Sequence, residues 1–210
     1  MKSSLALSLM VLCLSVACTS VPTTEGPMGI LTHEVEVLPA ERAIAFIRSD
    51  VYTEQCVTEY ARATSILKWM GVVTTTTTIV LDLDETVFSG VGFNESLVEA
   101  GVSYSPARQL EYMEGHLYPL VPGARGFILY AESLGFTIGF VTNRKESLSV
   151  VTATHLDHYG LGHIPVLFRT GTKVKRDRID SFTNVVMTVG DKDNDHLEGA
   201  QQVYLPNPLY

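Results

Sequence analysis

The chain has 210 residues, 46% of them hydrophobic and 18% charged, with a formal net charge of -8 at pH 7. These values exclude a fibrous or disordered chain and fit one globular domain of ordinary core size. The acidic balance argues against a nucleic-acid polymer as partner, because duplex binding depends on neutralising phosphates with Lys and Arg.

At the N-terminus, Lys2 is the only charge before an apolar run from Leu5 to Val16 that ends in small residues. This is the layout of a secretory signal peptide over residues 1–17, and the run is too short to cross a bilayer. Ser15-Val16-Ala17-Cys18 resembles a bacterial lipoprotein lipobox, so Cys18 is the expected site of lipid attachment. Ser15 stands where such boxes usually carry Leu, and an ordinary signal peptidase could make the same cut. Both readings export the mature chain: one anchors it to the membrane of a bacterial cell envelope, the other leaves it periplasmic or secreted. With Cys13 removed, only Cys56 lies inside the domain, which rules out an internal disulfide. Residues 18–37 mix Pro, Gly, Thr and Ser without periodicity and read as a tether, leaving residues 38–210 as the folded domain.

Within that domain, Ala63, Ile66, Leu67 and Met70 recur at helical spacing, predicting a helix from an Asp50 N-cap to a Gly71 stop. The threonine run at 74–78 is a β-prone lead-in to a strand over 79–83. A helix is predicted over 124–134, with Pro122 before it and Gly135 after it. A strand over 136–141, a helix over 145–159, and strands over 166–168 and 185–189 follow. Apolar strands alternating with amphipathic helices imply a doubly wound α/β fold around a parallel sheet. Residues 88–120 break the alternation and carry their own helical fragment at 106–114, as expected of a small helical cap insertion.

Open α/β sheets bind ligands at the carboxyl ends of their strands. Three predicted strands end in polar residues: one in Asp82 and Asp84, one in Thr142 and Asn143, one in Asp191. In a parallel sheet these ends share an edge, which gathers several carboxylates. Gathered carboxylates repel unless a cation or a shared proton intervenes. A hard cation with oxygen ligands, usually Mg²⁺, meets that need.

Asp82-x-Asp84-x-Thr86, Thr142, a lysine near 173, and Gly190-Asp191 with Asp195 resemble the four motifs of the haloacid dehalogenase superfamily. Within it, Leu81 to Val87, Thr142-Asn143-Arg144 and the closing Leu205-Pro206-Asn207-Pro208-Leu209-Tyr210 are similar to class B-like acid phosphatases. That group includes bacterial lipoprotein acid phosphatases and 5'-nucleotidases, and the resemblance spans roughly residues 41–210. It implies a haloacid dehalogenase-like Rossmannoid fold and an extracytoplasmic, Mg²⁺-dependent phosphomonoesterase. Asp82 would be the nucleophile that forms an aspartyl-phosphate, and Asp84 the general acid and base. Asp82, the backbone carbonyl of Asp84, and Asp191 would hold Mg²⁺. Thr142 would donate to a phosphoryl oxygen and Lys173 would supply positive charge. Lys173 with Arg176 matches the family's lysine–arginine spacing, and Lys175 with Arg178 repeats it. Thr86, Asn143 and Asp195 would support the site, Asp195 lying one helical turn beyond Asp191.

The second aspartate favours phosphatase over dehalogenase chemistry, since only an alkoxide leaving group needs a proton. The implied substrate is a small phosphomonoester, nucleotides included. A phosphotransferase using the same intermediate and a non-catalytic surface lipoprotein are the alternatives. Residues 88–93 depart from the better-known lipoprotein acid phosphatases, so a base-stacking surface would have to come from Tyr104, Tyr112, His116 or Tyr118 of the cap. His155, His158 and His163 could mimic metal spacing, but histidines near a helix C-terminus also complement its dipole.

Overall fold

A computed structural model describes residues 40–73 and 76–207. The signal peptide, the tether, Cys18 and the last three residues lie outside the described residues. Five parallel strands form one sheet in the order β3-β2-β1-β4-β5: β1 (Thr78–Leu81), β2 (Thr137–Lys145), β3 (Val166–Arg169), β4 (Val185–Gly190) and β5 (Gln201–Tyr204). Every residue of β1 is buried, as a central strand covered on both faces requires. The chain runs from β1 outward through β2 to β3, then returns to β4 on the other side of β1. That reversal opens a crevice at the carboxyl ends of β1, β2 and β4.

Helices α1 (Ala40–Ile47) and α2 (Asp50–Met70) precede β1. Ser49, rather than Asp50, caps α2: its hydroxyl accepts from the Tyr52 N–H at 3.3 Å, and Asp50 takes the first helical position. Helix α2 buries Tyr52, Cys56, Tyr60, Ala63 and Leu67 and ends at Gly71, whose φ of 75° only glycine adopts cheaply. Cys56 is fully buried and free. Trp69 faces outward at 88% exposure and takes no part in the core.

The insertion between β1 and β2 carries α3 (Val91–Ala100) and α4 (Pro106–Gly115), followed by α5 (Ala124–Ser133). Its base is pinned by backbone bonds from Ser89 N to Pro119 O and from Val121 N to Val87 O. Beyond β2 the predicted long helix is shorter: β2 stays extended through Lys145, which pairs with Arg169 of β3, and a 3₁₀ turn precedes α6 (Ser149–His158). The extended backbone is what lets Arg144 reach back to Asp84. Helix α7 (Lys175–Ile179) is a single short segment between β3 and β4. Among the described residues no helix is long and apolar enough to cross a membrane.

Gly139, in the middle of β2, lies against the Phe182 ring, and a Cβ there would overlap that ring. Gly139→Ala should therefore cost about 1–3 kcal/mol through overpacking. A lower urea midpoint with an unchanged m-value would show it.

Candidate active site

Asp82 follows β1 directly and its N–H bonds to Val189 O at 3.0 Å, so the sheet itself fixes its backbone. The chain then turns sharply: Val87 and Phe88 N–H both reach Leu83 O, Glu85 N reaches Phe88 O, and Glu85 takes a φ of 59°. This left-handed residue in a tight loop is a strained position of the kind found at functional sites. The turn presents Asp82, Asp84 and Glu85 to one cleft of about 320 Å³, roofed by Phe93, Tyr104 and Tyr118 of the insertion.

Asp82 is 7% exposed and pairs with the Lys175 ammonium, which is itself 5% exposed and 2.5 Å from Asp195 Oδ1. Asp195 accepts from the backbone N–H groups of Asp191 (3.1 Å) and Lys192 (3.0 Å) through its other oxygen. The segment is a 3₁₀ turn, so Asp195 meets Asp191 through this loop and not along the helical face expected from their spacing. Gly190 packs against Asp195 so closely that any side chain there would displace it. Asp191 is oriented by Asn207 Nδ2 and by Thr86 Oγ1 at 3.5 Å, while Tyr60 donates to the Thr86 carbonyl at 2.7 Å.

The expectation of Lys173 is corrected by this geometry. Lys173 is exposed, whereas Lys175, Arg178 and Ile179 turn inward from α7. Arg178 donates to the carbonyls of Thr142 and Leu167, the latter at 3.1 Å, and to Asn143 Oδ1 at 2.9 Å. It ties the ends of β2 and β3 together.

Arg144 is the largest feature left without a role by the sequence. Only 2% exposed, it grips Asp84 through Nη2 at 2.7 Å and Nε at 3.1 Å, and its Nη1 donates to Thr152 Oγ1 at 2.9 Å. Its guanidinium lies over the rings of Phe88 and Tyr118. Thr142 is fully buried; its hydroxyl donates to Asp84 Oδ2 at 3.4 Å and accepts from Arg144 N at 3.1 Å, so in this arrangement it faces Asp84. Burial would raise the Asp84 carboxyl, but the charge and hydrogen bonds of Arg144 outweigh it and hold it below the usual range.

Asp82 goes the other way. Burial pushes it well above the usual carboxylate range, Lys175 pulls it down, and Asp195, Asp191 and Asp84 push it up again. Burial, then Asp195, raises Asp191 as well. Carboxylate oxygens of Asp82, Asp191 and Asp195 lie within 4.8 Å of one another. Among the described residues, Asp82, Asp84, Asp191 and Asp195 thus face the cations Lys175, Arg144 and Lys192, an excess of negative charge that suits a divalent cation with oxygen ligands.

The histidines do not form a cluster. His155 is buried, with Nδ1 accepting from Tyr118 N and Nε2 on Met113 O at 3.0 Å, while His163 pairs with Glu132. Of the cap aromatics, Tyr104 and Tyr118 line the cleft; Tyr112 and His116 stack on each other at 4.2 Å outside it.

A parallel sheet with an aspartate-bearing turn after its central strand, and further acids after the neighbouring strand, is the arrangement of a phosphate-ester hydrolase of the haloacid dehalogenase type. The chain belongs to the haloacid dehalogenase superfamily, subfamily IIIB (acid phosphatase), whose profile matches residues 8–210. It is a phosphoric monoester hydrolase. Among solved structures, it is similar to the class C acid phosphatase from Bacillus anthracis, at 21% identity and a TM-score of 0.72 over 81% of this chain and 84% of that one. The tungstate-bound form of that phosphatase superposes with a TM-score of 0.69 at 19% identity, over the same shares of the two chains. Comparison with curated proteins gave no match.

Glu85 carries a further consequence. It is 3% exposed, Oε1 accepts from Gly90 N at 2.9 Å, and Oε2 has no hydrogen-bond partner among the described residues. Burial lifts its pKa from 4.5 to about 8. The folded state thus holds a proton that the unfolded state releases near pH 4.5. Its contribution is full below that pH and lost as pH rises through about 8. Glu85→Gln should flatten the decline in unfolding free energy between pH 5 and 8.5, measured by urea titration at each pH; an unchanged slope would show that Glu85 is not the group responsible.

Proposed function

We propose that this chain is an exported, Mg²⁺-dependent acid phosphatase acting on small phosphomonoesters through an aspartyl-phosphate on Asp82. The observation that carries the reading is the Asp82–Lys175–Asp195 bridge beside Asp191. A carboxylate buried among acids becomes a nucleophile only where cations keep it ionised and aimed.

An oxygen of Asp82 attacks phosphorus as the bond to the leaving alcohol breaks. Asp84 protonates that alcohol, then takes a proton from the water that attacks phosphorus and frees Asp82. Arg144 fixes the Asp84 carboxyl and favours its ionised form, so the fraction able to act as an acid grows as pH falls. Thr142 holds the same carboxyl from the other side. Asp82, the Asp84 carbonyl and Asp191 would hold Mg²⁺, and Asp195 positions both Asp191 and Lys175. The ion, when bound, neutralises phosphoryl oxygens so that two anions can meet.

The cleft roof, Phe93 and Tyr104 at 6.1 Å edge to face, offers aromatic surface to the leaving group, which admits nucleotides among the substrates. Export, and lipid anchoring at Cys18, are supported by the signal-like residues 1–17 and the small residues before Cys18.

The test is turnover of p-nitrophenyl phosphate by the wild type and by Asp82→Asn, each with Mg²⁺ and with EDTA. Removal of a covalent nucleophile should cost at least about 10³-fold, and EDTA should silence the wild type reversibly. Equal rates from wild type and Asp82→Asn would refute the assignment.

A further inference from the structure

With Lys175 turned inward, Lys173 and Arg176 stay outside the aspartate cluster, yet they are not scattered. A second groove opens alongside the catalytic cleft, lined by Arg169, Lys173 and Arg176, with Asp193 as its acidic member. The two cavities share Asn143, Arg169 and Lys175, so they are continuous. Because the Lys175 ammonium is engaged by Asp82 and Asp195, the cations that face the second groove are the other three.

Among the described residues, neither Arg169 nor Lys173 is held in an ion pair, and Arg176 makes a long 3.4 Å contact to the His196 carbonyl. In a chain of net charge -8, three close cations against one acid create a local positive field that needs an anion to balance it. Asn143 adds directional recognition. Its Oδ1 accepts from the Arg178 guanidinium, a group that can only donate, so the orientation of the amide is fixed and its NH₂ is left as the donor. Asn143 is exposed and lines both cavities.

We infer that this groove is a second anion subsite: the preferred substrate carries, besides the phosphate that is hydrolysed, a second phosphate group that Arg169, Lys173 and Arg176 hold. Three cations less one acid match the dianion of a phosphate better than the single charge of a carboxylate. The inference rests on the catalytic reading above, since it presumes that the first phosphate sits at Asp82. It makes Arg169 and Lys173 specificity residues that act on substrate binding.

The experiment compares kcat/KM on matched pairs, glucose 1,6-bisphosphate against glucose 6-phosphate and adenosine 3',5'-bisphosphate against AMP. The wild type and the Arg169→Gln/Lys173→Gln double variant are assayed at low and high salt. The wild type should favour the bisphosphate of a pair by about tenfold or more, mostly through KM, with the advantage shrinking as salt screens it. The double variant should bring the ratio close to one. A wild-type ratio near one, or a ratio the double variant leaves intact, overturns the subsite. A greater gain for 3-phosphoglycerate over glycerol 3-phosphate overturns the assignment to phosphate. Calorimetric binding of the bisphosphates to Asp82→Asn protein, with and without the double substitution, reads the subsite without turnover. Failure of catalysis and failure of the subsite are thereby told apart.

Discussion

A lysine with 5% of its surface exposed must set its charge against carboxylates, and Lys175 does so between Asp82 and Asp195. Much of the site's architecture follows from that bridge. Helix α7 has to bring Lys175 to the end of β1, and Arg178 on the same face anchors it by binding the carbonyls of Thr142 and Leu167. Asp195 has to come close enough to Gly190 that only glycine fits, and its second oxygen then orders the backbone N–H groups of Asp191 and Lys192 that follow that glycine. Removing one partner of such a buried pair typically costs about 3–5 kcal/mol, because the other charge is stranded. The arrangement is therefore a structural necessity as well as a chemical one.

A second ion pair divides the work of two aspartates that stand one residue apart. Asp84 has Arg144 all along one edge and stays below the ordinary carboxylate range, whereas Asp82 shares one ammonium with Asp195 and is driven up by burial and by its acidic neighbours. The same strand end thus holds one carboxylate that Arg144 favours in its ionised form and one that Lys175 steadies against burial and its acidic neighbours. Phe88 and Tyr118 complete the Arg144 side by packing on its guanidinium, which couples the cap insertion to Asp84.

The sheet and the motif aspartates were legible because their signals are local: apolar strands, polar strand ends, and glycine or proline at helix boundaries. The choice of lysine was harder, since α7 spans only Lys175–Ile179 and offers too few turns for periodicity. Ile179 carried the missing signal. Lys175 lies one turn before this buried residue and shares its inward face, which Lys173 and Arg176 do not. Arg144 and Asn207 could not be assigned from spacing, because each acts across the fold on an aspartate far away in the chain. The Asp191–Asp195 relation was read as helical, and the real cause is a carboxylate folding back onto backbone N–H groups.

The most direct measurement is a crystal structure with Mg²⁺ and beryllium fluoride, which bonds to a carboxylate as a phosphoryl mimic. The account predicts the fluoroberyllate on Asp82, Lys175 against it, Asp191 on the metal, and Lys173 outside the cluster. An adduct on Asp84 or any other residue, or an ammonium supplied by Lys173, would contradict it.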